Sequence, residues 1–268
     1  MKNSVLRTLL CSTTTIVLSA AVSSQASAAT TCAATGADIT CTEATGVVAT
    51  GTTDGIVTDG LGLFIRSTGD QTTVLTGPGP ITVTTGVTGA DLLSGGGNLT
   101  LDAEGIDFVT TGTFAYAVRL SGQDVTATVG KLTTAGDDSI GLEATGNNLK
   151  ITAGDVSTQG AQARGVSLFA NGNADLTVGN VTTAGLDASG IEIEASGDIV
   201  LNAGNVTTAG DDSTGVNLDS ESGTVTATVG NVQTAGAGSR GVYVHAPDTI
   251  TLTRDRSRPK AMSATASR

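Results

Sequence analysis

The chain is 268 residues long, with a formal net charge of −12, 37 glycines, no Trp, two Tyr, four Phe and only 14% charged residues. So little aromatic bulk excludes an ordinary compact globule, while 38% hydrophobic residues at regular intervals exclude wholesale disorder, leaving a thin-cored, turn-rich β protein. Residues 29–253 hold 24 of the 25 acidic side chains against six basic ones, which argues against nucleic acid and anionic membranes as partners.

Residues 1–28 read as a signal peptide: Lys2 and Arg7 precede an apolar stretch from Thr8 to Val22, and Ala26-Ser27-Ala28 supplies a small-residue cleavage site. The mature chain is therefore expected to be exported and soluble. No other stretch approaches the about 18 apolar residues of a membrane span. Cys11 leaves with the leader. Cys32 and Cys41 remain in a compartment that permits disulfides, and they predict a small clip at the new N-terminus. A zinc site is the rival, but two sulfurs without a nearby His or further Cys cannot fill its shell.

Residues 29–97 read as an N-terminal cap followed by degenerate coils, and residues 98–253 as regular ones. In the regular part, glycines fall at 130-136-141, 154-160-165, 179-185-190, 204-210-215 and 230-236-241, with unit offsets of 24 to 26 residues. Each unit predicts three short strands. Val125–Val129 and Leu149–Ala153 alternate strictly before the first glycine. One aliphatic and an unbroken threonine column (Thr134, Thr158, Thr183, Thr208, Thr234) follow it. After the third glycine, Leu142, Val166, Ile191, Val216 and Val242 point inward, and Glu143, Ser167, Glu192, Asn217 and Tyr243 point outward. A repeat of about 25 residues cannot bury its own apolar face, whereas stacked copies make one continuous core. The fold class is thus all-β, a parallel β-solenoid with three short strands per coil and eight or nine coils.

The exported start, the Cys32 and Cys41 pair in Thr-Cys-Ala-Ala-Thr-Gly-Ala-Asp-Ile-Thr-Cys, and repeats such as Val-Gly-Asn-Val-Thr-Thr-Ala-Gly (178–185) resemble the N-terminal passenger region of bacterial autotransporters. The resemblance covers residues 1–253. It implies a right-handed parallel β-helix displayed at the cell surface as an adhesin or carrier, with a C-terminal membrane β-barrel as translocator. No barrel-like run of alternating strands follows residue 250, so this chain is expected to be periplasmic or secreted, whereas an intact parent would reach the outer membrane.

Residues with chemistry are few. His245, the only histidine, lies beyond Tyr243 on the outward face, and no serine is marked as its nucleophile. Walker, dinucleotide and Gly-x-Ser-x-Gly patterns are absent. Asp187 and Asp212 share a column in adjacent coils and are the weak candidate for a cation, but Gln162 and Gly238 interrupt that column, so a solvated acidic turn is preferred. Phe169, Glu192, Glu194 and Tyr243 form a candidate binding face, with the two aromatics as anchors. The reading is a non-enzymatic structural or adhesive rod, monomeric and without a cofactor, whose ligand lies on a host or cell surface. The alternative is a carbohydrate-active β-helix enzyme of the polysaccharide lyase or hydrolase type.

Residues 254–268 carry five basic residues and Asp255, with neither glycine nor period-two alternation. An adjacent reading frame can encode glycines at the repeat spacing, so this tail is read as a misread repeat. The alternative is a genuine basic tail.

Overall fold

The computed structural model describes residues 62–76, 80–83 and 88–254, together with the backbone of strands Val17–Ala20, Thr31–Thr35, Asp38–Glu43, Val47–Thr52 and Ile56–Thr58. Among these residues every regular element is a strand, and the strands stack into three sheets of ten, eight and ten members. One coil shows the plan. Asn148–Ala153 lies in the first sheet, Val156–Thr158 in the short second sheet and Val166–Ala170 in the third. Each pairs in parallel with its equivalent one coil on, so that Leu149 meets Ala174, Val156 meets Val181 and Val166 meets Ile191. The expected three-stranded β-solenoid is the observed architecture.

Alternation sets the core. In Leu149–Ala153 the side chains of Leu149, Ile151 and Ala153 are buried while Lys150 and Thr152 face solvent. Because the register passes from coil to coil without a slip, inward residues form continuous apolar columns that no single unit could bury. Phe108 is the one fully buried aromatic among the described residues, held in register between Ile81 and Leu132.

The corners use side chains to replace ladder bonds. Entering the first sheet, Asn148 Oδ1 accepts the N–H of Asn173 at 3.1 Å, Asn173 Oδ1 that of Asp198 at 2.8 Å, and Asp198 Oδ1 that of Thr224 at 2.7 Å. Entering the second sheet, the same relay links Asp155, Asn180, Asn205 and Asn231 at 2.6 to 3.0 Å. Short carboxylate and amide side chains suit this place because they reach a neighbouring backbone N–H without crossing open solvent.

The third corner is built differently. Buried threonines of the second sheet donate their hydroxyls to carbonyls five residues on, as in Thr134 to Ser139 at 2.7 Å and Thr208 to Ser213 at 2.9 Å. Here glycine is forced by contact, since a Cβ on Gly160 would come within 2.0 Å of the Gly136 carbonyl oxygen. Likewise a Cβ on Gly141, Gly165, Gly190 or Gly215 would come within 2.5 to 2.6 Å of Cγ1 of the next coil's valine. At the equivalent place Ala117 is accommodated, and its facing residue is Leu132, which lacks the branch at Cβ.

The ends differ. At the N-terminal end Thr31–Thr35 runs antiparallel to Asp38–Glu43, with Cys32 directly opposite Cys41 in the backbone register, and Val17–Ala20 runs antiparallel to Val47–Thr52. The two cysteine side chains, most of residues 1–28 and residues 255–268 lie outside the described residues. At the other end the strand Ile250–Arg254 pairs in parallel with Val225–Val229, and its inward-row residues Ile250 and Leu252 are 43% and 54% exposed.

Candidate functional site

The outer faces of the sheets differ in chemistry. The first sheet presents mostly threonines, such as Thr126, Thr128, Thr226 and Thr228, whereas the third presents nearly every arginine and outward aromatic of the described body. Two outward columns run along the third sheet. The first reads Phe64, Asp91, Arg119, Glu143, Ser167, Glu192, Asn217, Tyr243, and the second Arg66, Leu93, Ser121, Thr145, Phe169, Glu194, Asp219, His245.

Parallel register puts unlike residues side by side and pairs them. Arg66 lies 4.3 Å from the Phe64 ring centre and 3.6 Å from the Asp91 carboxylate. Arg119 lies 5.4 Å from the Tyr116 ring centre and 3.1 Å from Glu143. Each arginine thus bridges a ring and a carboxylate of the next coil, an arrangement that suits a planar, weakly hydrated guanidinium. Arg164 pairs with Glu192 at 3.1 Å, and Arg240 lies 5.8 Å from the Tyr243 ring centre. Burial nevertheless raises the Asp91 carboxyl above its ordinary range, outweighing the opposing pull of Arg119 and Arg66.

Of the residues singled out from the sequence, the structure brings Phe169 and Glu194 together as in-register neighbours. They border a shallow groove of about 250 Å³ that also holds Thr145, Asn171, Ser196, Asp219 and Glu221. Glu192 lies one column over, tied to Arg164, and Tyr243 is two coils beyond Glu192. Both aromatics are half-buried rather than exposed as expected, Phe169 between Thr145 and Glu194 of the flanking coils and Tyr243, on the last strand of its sheet, against Asn217 on one side with Arg240 over its ring. Ser167, expected to point out, is buried between Glu143 and Glu192 with no hydrogen-bond partner for its hydroxyl.

Within the groove Ser196 donates to Glu221 at 2.7 Å, and His245 Nδ1 meets Asp219 at 2.9 Å. His245 is therefore an exposed partner of Asp219. The Glu194 carboxyl is raised above its ordinary range, first by partial burial and then by the carboxylates of Glu192, Asp219 and Glu221, with Arg164 opposing.

Asp187 and Asp212 have a conformational explanation. Both sit at φ near +53°, as do Asp138, Gln162 and Phe114 in the same column, and Gly238 closes the series at +72°. One residue per coil must turn left-handed here, and aspartate and glycine tolerate that best. Among the described residues no group of three or more His, Cys, Asp or Glu side chains is placed to hold a metal ion.

Compared with models of protein families, with curated proteins and with solved structures, the chain matches none.

Proposed function

We propose that this chain is an exported adhesive rod, a passenger of the autotransporter kind, which makes contact through the outer face of its third sheet. The observation that carries the reading is the division of labour between faces: the first sheet is a threonine surface, while the third gathers Phe64, Tyr116, Phe169 and Tyr243 with Arg66, Arg119, Arg164 and Arg240. Aromatic and arginine side chains are the ones that anchor interfaces, and a rigid solenoid keeps them in fixed register. Export is supported by the basic, apolar and small-residue succession in residues 1–28.

The test is to express the full chain in a Gram-negative host, fractionate the cells and sequence the N-terminus of the recovered protein. The expected product begins at Ala29 and lies outside the cytoplasm. Cytoplasmic protein beginning at Met1 would overturn the export, and an exported protein unable to hold beads to any cell or glycan surface would overturn the adhesion.

A further inference from the structure

The third sheet contains its own template for a ligand. Phe64, Arg66 and Asp91 form one complete set of ring, guanidinium and carboxylate, and Tyr116, Arg119 and Glu143 form a second. Phe169 and Glu194 supply a third ring and a third carboxylate in adjacent coils, but no arginine lies over that ring or pairs with that carboxylate among the described residues. At this same place the surface opens into the groove, where Asp219 and Glu221 add two further carboxylates. Elsewhere on the face the cation comes from the chain itself. Here ring, acid and space are present, and although His245 reaches Asp219, no arginine sits on Phe169 or Glu194 among the described residues.

We propose that this groove receives an arginine side chain of a partner polypeptide. The guanidinium lies against the Phe169 ring and is hydrogen-bonded by Glu194, with Asp219 or Glu221 as its second acceptor. A planar fork with five donors meets this combination of flat ring and divergent carboxylates, whereas a lysine ammonium offers a strongly hydrated point charge. The Glu194 carboxyl is raised first by partial burial and then by the neighbouring carboxylates, and an incoming cation relieves the second of these. The inference rests on the third sheet being the contact face. Its test uses purified protein, so its failure is separable from failure of export.

Nα-acetyl-arginine amide is titrated into the purified full chain and compared with the lysine and citrulline derivatives, citrulline being the neutral near-isostere. The arginine probe is expected to bind at least about tenfold more tightly than citrulline and measurably more tightly than lysine. Glu194→Gln and Phe169→Ala should each weaken it about fivefold or more, with circular dichroism and cooperative melting retained. Phe169→Leu, which keeps apolar bulk, should weaken it comparably, and Asp175→Asn on the first sheet should leave it unchanged. Equal binding of arginine and citrulline, no binding, equal binding of lysine, or an Asp175→Asn effect as large as that of Glu194→Gln would each overturn the proposal.

Discussion

Thr183 donates its hydroxyl to the carbonyl oxygen of Ala188 at 2.5 Å, and both residues are fully buried. The same bond recurs from Thr110 to Ala115, Thr134 to Ser139, Thr158 to Ala163 and Thr208 to Ser213, so the threonine column is a row of clasps that closes the corner between the second and third sheets. Thr183→Val keeps the shape and removes the donor, leaving a buried carbonyl without its bond. The expected cost is about 1–3 kcal/mol. Chemical denaturation should show a lowered midpoint for Thr183→Val and a near-normal one for Thr183→Ser, which keeps the hydroxyl.

A second prediction concerns a polar side chain in the core. Gln71 is only 1% exposed and stands in register with Leu99 and, one coil further, Val125, yet neither its amide oxygen nor its nitrogen has a hydrogen-bond partner. A buried unsatisfied amide costs roughly 1–3 kcal/mol, and leucine has a similar volume. Gln71→Leu is therefore expected to raise the melting temperature. An unchanged or lowered value would mean that the amide is satisfied after all.

The period, the three strands and the inward columns were legible in the sequence because they depend on a residue type recurring at fixed spacing. The threonine column was visible as a pattern, but its partner is a backbone carbonyl and carries no signature. The corner relays were harder to see. Asn148, Asn173 and Asp198 share the acceptor's place in one relay and Thr224 ends it as a donor, while in the other Lys131, which has no side-chain acceptor, stands between Asp107 and Asp155, so neither column reads as one residue type throughout. Asp187 and Asp212 invited a reading by charge when backbone conformation decides the column. Phe169 and Glu194 could be aligned from the repeat. The arginine sets could not, since Arg66 bridges a ring two residues back and an acid 25 residues on, while Arg119 reaches three back and 24 on.

Acid should loosen the first corner. Asp198 accepts both the N–H of Thr224 at 2.7 Å and its hydroxyl at 3.0 Å, and these two bonds hold its carboxyl below the ordinary range. A depressed native value means that the unfolded chain takes up the proton first. The stabilisation is then complete above the ordinary carboxylate range and is lost as pH falls through the depressed value. Asp198→Asn keeps an acceptor, as Asn173 shows one coil earlier, and loses the titration. Denaturation midpoints measured from neutral to acid pH should fall less steeply in Asp198→Asn than in the natural chain, and parallel curves would refute the assignment.

Glu194 should respond with the opposite sign. Its carboxyl is raised by partial burial and by the charges of Glu192, Asp219 and Glu221, so in the native chain it holds its proton more tightly than in the unfolded one. The native state then binds more protons just above the ordinary glutamate range, and stability falls as pH rises through that window. Glu194→Gln removes the charge and keeps a hydrogen-bonding side chain, so it is expected to be slightly more stable than the natural chain at neutral pH and indistinguishable from it once the carboxyl is protonated. A destabilised Glu194→Gln at neutral pH would mean that the carboxylate makes a stabilising contact within the fold. The predicted gain would instead identify Glu194 as a charge held at a cost to the rod, in the groove where Phe169 lacks an arginine and an incoming guanidinium would offset that cost.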